Sequence, residues 1–147
     1  MDDERRGYYA GDTAHVTGIP YRTIDHRART GLITPSISGA RGAGRSRLYS
    51  FSDLVALRVA RELRDKGTSI QSLRKVVKLL RTAGMSSPLA KARLLVIGKD
   101  VAIINSANEI ESILSKPGQL YLTPGLIFDL RKPMAEVRRN VARLKVA

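Results

Sequence analysis

The sequence predicts a mainly α fold with a small β component, in which a helical head over residues 8–84 is followed by a small α+β region over 88–147. Three observations predict it. Between Thr13 and Tyr49 the chain reads as a short helix, a Gly turn, a second helix opening at a proline, and an Arg/Gly-rich hairpin. Apolar residues then recur at helical spacing in Ile70, Leu73, Val77 and Leu80, and again in Met134, Val137, Val141 and Leu144. Between these two stripes, after Pro88, the apolar period becomes extended.

Each element has its own local reasons. Residues 1–7 are charged and read as a frayed terminus. Asp12 or Thr13 caps a short helix over Ala14 to Val16 that ends at Gly18. The Gly18-Ile19-Pro20 turn leads into a helix from Pro20 to Thr30, where proline suits the first turn because its missing N–H would be unpaired there anyway. Gly31 ends that helix, and Leu32 and Ile33 return the chain to the core. Ile19, Ile24 and Ala28 share one face; Tyr21, Arg22, Asp25, His26 and Arg29 fall largely on the other.

Pro35 to Ser50 reads as a hairpin with a Gly-rich tip, Gly39-Ala40-Arg41-Gly42-Ala43-Gly44, and with Arg45 and Arg47 on its return arm. Ser52 as N-cap and Asp53 at the positive helix end open the next helix, whose buried stripe is Val55, Ala56, Val59, Ala60 and Leu63 and whose end is Gly67. Ser69 caps a further helix that stops at Gly84 and turns Arg74, Lys75, Lys78 and Arg81 to water. Arg93 to Ile97 and Val101 to Ile104 are strands of a hairpin turning at Gly98-Lys99-Asp100. Glu109 to Leu114 is expected as one or two helical turns, and the apolar runs Gln119 to Leu122 and Leu126 to Leu130 as extended chain. The last helix, Pro133 to Leu144, has Arg139, Asn140 and Arg143 opposite its apolar stripe.

Charge narrows the partner. The formal net charge is +13, with eight, eight and ten Lys/Arg in residues 1–50, 51–81 and 82–147 against five, three and five acids. That spread alone gives weak attraction to any polyanion. The span from Arg22 to Arg47 is more pointed: six arginines stand against Asp25 alone, on one helix and one loop, a pattern suited to duplex DNA. The chain has no cysteine, which excludes disulfides, thiolate metal sites, iron–sulfur clusters and cysteine nucleophiles. No apolar run approaches a membrane span, and Met1-Asp2-Asp3-Glu4-Arg5-Arg6 has no apolar signal-peptide core, so a cytoplasmic location with no membrane partner is expected.

The segments Tyr21-Arg22-Thr23-Ile24-Asp25, Arg29-Thr30-Gly31-Leu32-Ile33-Thr34-Pro35, Arg47-Leu48-Tyr49-Ser50-Phe51-Ser52-Asp53-Leu54 and Gly67-Thr68-Ser69-Ile70 closely resemble the MerR family of transcriptional regulators. The resemblance covers residues 8–82 and implies a winged helix-turn-helix followed by two further helices. It implies a double-stranded DNA partner and a place on the bacterial nucleoid, with the second helix in the major groove and the wing on the flanking backbone. Tyr21, Arg22 and His26 then belong to the recognition helix; Arg41, Arg45 and Arg47 to the wing; Thr13 and Tyr49 complete the expected DNA-binding set. Arginine offers a two-pronged donor to guanine or phosphate, and Tyr and Thr hydroxyls suit phosphate oxygens. Pro88 and the β pattern replace the long coiled-coil helix of metal- and drug-sensing members, which marks a short-tailed subgroup and argues against metal sensing.

Other chemistry lacks its parts. Gly39-x-x-x-x-Gly44-Arg45-Ser46 imitates a phosphate-binding loop but has Arg where Lys is required, and it leads into a strand. His15 and His26 have no third ligand for a metal, and neither a Gly-x-Ser-x-Gly elbow nor a close carboxylate pair occurs. No enzyme activity, metal or cofactor is expected. The apolar stripe of the last helix, with no Trp or Phe anchor, is expected to make a homodimer seam or hold another protein through Met134, Val137, Val141 and Leu144. The rival functional class is an antitoxin of a VapBC-type module, whose tail occupies a toxin nuclease while its head represses its own operon. A weaker third reading is a recombination directionality factor.

Overall fold

The computed structural model describes residues 7–37, 47–121, 126–127 and 131–146, with side-chain burial for 7–37, 47–121 and 134–144. In chain order the elements are β1 (Tyr8–Tyr9), α1 (Ala10–Thr17), α2 (Tyr21–Arg29), β2 (Leu48–Tyr49), α3 (Phe51–Asp65), α4 (Ile70–Thr82) and α5 (Pro88–Lys91). They continue with β3 (Leu94–Ile97), β4 (Asp100–Ile104), β5 (Ile110–Ser112), β6 (Leu120–Tyr121), β7 (Leu126–Ile127) and α6 (Arg131–Val146). They form two compact units, one of residues 1–58 with 133–147 and one of residues 59–132, so α3 begins in the first and ends in the second. Most of the last helix belongs to the same unit as residues 1–58.

In the first unit, β1 and β2 pair antiparallel, Tyr8 opposite Tyr49 and Tyr9 opposite Leu48. Both Tyr8 and Tyr49 are fully buried. Gly7 permits the approach: a Cβ there would lie 2.6 Å from Leu48 Cγ. α1 is longer than expected, starting at Ala10 behind Tyr9 with no side-chain cap, so neither Asp12 nor Thr13 caps it. Gly18 ends it at φ 71°, and its N–H donates to Ala14 O at 2.9 Å. That left-handed conformation strains any residue with a side chain and explains the glycine.

Pro20 is the N-cap of α2, and its carbonyl accepts from Thr23 and Ile24 N–H. Ile19, Ile24, Leu32 and Ile33 are all buried, as the spacing predicts. Ile37 N–H donates to Leu48 O at 3.2 Å, while the tip of the expected hairpin, with Arg41 and Arg45, lies outside the described residues.

α3 opens two residues earlier than predicted, and the cap is Ser50 rather than Ser52. Ser50 Oγ accepts from Asp53 N–H at 3.1 Å, while Asp53 Oδ2 accepts from Ser50 N–H at 2.9 Å, a reciprocal capping box. Leu54 and Leu57 are buried besides the predicted stripe, which leaves α3 apolar around most of its circumference. α6 runs from Arg131, two residues before the predicted start. Val137 and Val141 are buried within the chain, at 1% and 0% exposure, while Met134 and Leu144 are only partly covered. Asn140, expected to face water, donates from Nδ2 to Val16 O at 2.8 Å.

The second unit joins the end of α3, α4 and α5 with a five-stranded antiparallel sheet ordered β6-β5-β4-β3-β7. Ser69 caps α4 as predicted, its Oγ accepting from Ser72 N–H, and Leu73, Val76, Val77 and Leu80 are buried. The short α5 precedes the extended chain expected after Pro88; Pro88 sits at its first turn after Ser87 at φ 48°. The β3–β4 hairpin turns at Gly98 and Lys99 as expected. Glu109 to Leu114 is not helical. Ile110, Glu111 and Ser112 pair with Ile104, Ile103 and Ala102, because the free edge of β4 offers backbone partners that a lone helical turn lacks.

Candidate nucleic-acid interface

The candidate site is built on α2, whose one buried residue is Ile24. With Ile24 anchored, helical geometry turns the opposite face outward. Tyr21 is 58% exposed, and Arg22, His26 and Arg29 are exposed as well. Arg22 and His26 side chains bond to none of the described residues. A helix with one apolar anchor and a row of free donors can enter a groove without unfolding anything behind it.

Arg47 stands differently. Its guanidinium is ion-paired through Nη1 to Asp25 Oδ1, and Arg29 Nε reaches Asp25 Oδ2 at 2.9 Å. The Arg47 bond holds the Asp25 carboxyl below its usual range against the opposing effect of burial, with help from Arg29. The same bond raises the Arg47 guanidinium further. Arg47, expected as a DNA-backbone contact, is thus partly shielded and paired with Asp25.

Thr13 and Tyr49, also expected at the interface, are fully buried, and neither hydroxyl meets a partner among the described residues. Burial pushes the Tyr49 hydroxyl above its ordinary value. Both therefore lie behind the surface, Thr13 on α1 and Tyr49 in the β1–β2 ladder. Arg41 and Arg45 lie outside the described residues.

Sequence reasoning missed what holds the hairpin base. Asp53, buried at the start of α3, accepts from Ser36 N–H and Ser36 Oγ at 2.7 Å each, besides Ser50 N–H. One carboxylate thus ties the outgoing arm, the returning arm and a helix N-terminus together. The spacing Ser50-x-x-Asp53 carried that signal. On the other side of α1, Arg58 Nη1 donates to Thr17 O at 3.0 Å and its Nη2 to Glu136 Oε2 at 2.6 Å. With Asn140 on Val16 O, the last carbonyls of α1 are satisfied just before the turn into α2.

Residues 8–86 match the family model described as MerR HTH family regulatory protein. The chain belongs to the MerR family. Two of its relatives are HTH-type transcriptional regulators of Mycobacterium bovis and Mycobacterium tuberculosis, each 39% identical over 114 residues, which is 78% of this chain and 50% of the relative. The HTH-type transcriptional regulator HmrR of Sinorhizobium medicae is 30% identical over 82 residues, 56% of this chain and 54% of that protein. The chain thus spans about half the length of the curated relatives it matches. The match confirms the expected family and nearly the expected extent, and its helices and small sheets agree with the coarse fold class. No helix among the described residues is long and apolar enough to cross a membrane.

Proposed function

We infer that this MerR-family regulator binds double-stranded DNA sequence-specifically as a homodimer, with α2 in the major groove and the 35–50 hairpin as a wing on the flanking backbone. The observation that carries the reading is the exposed Tyr21, Arg22 and His26 face of α2, set over the buried Ile24. Arg22 suits guanine O6 and N7, and Tyr21 and His26 suit phosphate or a base edge. Arg41 and Arg45 supply the wing's phosphate-seeking charge. Pairing of two copies extends a short half-site to a full operator. Such a protein works on the nucleoid in the cytoplasm and carries out no catalysis. The mycobacterial and Sinorhizobium relatives are described as transcriptional regulators, which favours this reading over the toxin-neutralising one.

Selection of binders from a random duplex library tests it. The expected result is one enriched motif, two-fold symmetric about its centre. Enrichment of no motif, with binding to every duplex alike, overturns sequence-specific regulation; an asymmetric single half-site overturns the homodimer.

A further inference from the structure

We propose that Asp25 is a specificity-determining positioning residue, which by holding Arg47 fixes residue 47, just before β2, to α2 and withholds that arginine from indiscriminate phosphate binding. The proposal rests on the DNA-binding reading and deepens it.

The position of Asp25 is what makes it unusual. It is the single acid among six arginines between Arg22 and Arg47, and it lies on the exposed side of α2, one turn from Tyr21 and Arg22 and beside His26. A carboxylate on a surface meant for phosphates repels them, so a face selected for affinity alone has no use for it. Its ligands resolve the contradiction. The Asp25 and Arg47 side chains are 25% and 22% exposed, shielded enough for the pair to hold its geometry, whereas Arg29 at 63% adds little. Arg47 immediately precedes β2, so the pair joins residues 22 positions apart, on the helix and on the returning arm. Asp53 holds both arms to α3 through Ser36 and Ser50, and Asp25 supplies the connection to α2.

Two consequences follow for binding. A neutralised arginine contributes little to counterion release, which is the part of affinity shared by all sequences. A hairpin locked to the helix also allows both elements to meet DNA together in only one register, so a duplex with the wrong spacing loses one of them. Both effects act on the ratio of specific to non-specific affinity rather than on affinity itself.

The test uses the full chain, a duplex bearing the selected motif and a scrambled duplex of equal length, with dissociation constants measured across salt. Asp25→Asn is expected to bind the scrambled duplex more tightly, with a salt slope steeper by roughly one unit. Its specific-to-non-specific ratio falls roughly tenfold, the scale of one lost base contact. Asp25→Glu keeps the carboxylate and returns both quantities toward wild type. Arg47→Ala lowers the ratio but leaves the scrambled-duplex slope unchanged. An Asp25→Asn chain with wild-type ratio and slope overturns the proposal, as does equal weakening on both duplexes, which marks a purely structural role. If Asp25→Asn does not fold, Arg47→Ala decides: a slope shallower by about one unit makes Arg47 a phosphate ligand and overturns it. A wild-type chain without motif preference removes the DNA-binding reading instead, and it is seen before any variant is made.

Discussion

Arg22 and Arg47 carry the same charged group on neighbouring elements and differ in what that group is free to do. Arg22 is exposed and meets no described partner, so its five donors remain for a ligand; Arg47 is committed to Asp25. Arg22→Ala and Tyr21→Ala are therefore each expected to cost about 1–3 kcal/mol of specific DNA binding, with helical content by circular dichroism unchanged. Wild-type affinity in both variants removes α2 from the interface. Asp100, in the sheet unit, is a different kind of acid. Burial pushes it up, but hydrogen bonds from Ser112, Tyr121 and the Ser115 N–H outweigh that and hold it below its reference value of 3.8. The donation to Asp100 in turn raises the Tyr121 hydroxyl. A carboxyl lowered by folding stabilises the protein above its unfolded value and loses that contribution as pH falls through the folded one. Asp100→Asn should lower stability at pH 7 by about 1–3 kcal/mol, and the deficit should shrink as the pH drops below about 4. Chemical denaturation at both pH values checks it.

At the scale of elements, the helix α3 shows how a cap is chosen. Two serines compete for its start, and the one that wins is Ser50, because only from there do Oγ and the Asp53 carboxylate exchange hydrogen bonds with each other's N–H. Ser50→Ala should cost about 1 kcal/mol of stability, whereas Ser52→Ala should stay within about 0.5. Urea midpoints of the two variants separate them, and the opposite order would place the cap at Ser52, two residues later. Asp53→Ala removes more. It strands the donors of Ser36 and Ser50 as well as the cap, so a loss of about 1–3 kcal/mol beyond the Ser50→Ala effect is expected.

For the whole molecule, the decisive feature is that α6 joins the unit built from the start of the chain. Val137 and Val141 are covered within the chain, and Glu136 and Asn140 reach Arg58 and the Val16 carbonyl. Burial of two valines is worth about 1.5–3 kcal/mol each before entropic costs. Val137→Asp with Val141→Asp is thus expected to lower the urea midpoint by the same amount at every protein concentration. A dimer seam through these two residues would instead give a loss that depends on concentration and a fall in mass by light scattering. Met134 and Leu144 remain partly exposed and are the residues of that stripe still open to a second copy.

What the amino-acid order determined by itself was local. The turn at Gly18, the α2 anchor Ile24, the Ser69 cap, the Gly98 hairpin and the apolar period of each long helix depend on neighbours within a few residues, and each was legible. The exposed Tyr21, Arg22 and His26 face followed from the same helical arithmetic, and the family resemblance lay in short motifs of that kind. Tertiary structure alone decided the rest. Ile110–Ser112 became a strand because β4 had an unpaired edge, and Tyr8 and Tyr9 paired with residues some 40 positions away. Thr13 on α1 and Tyr49 in the β1–β2 ladder are fully buried rather than at the surface. Arg47 met Asp25 across 22 positions, and Asn140 met Val16 across 124. A side chain's periodicity says which way it points; whether a carbonyl, a carboxylate or water waits there depends on segments that only the folded chain brings within hydrogen-bonding distance.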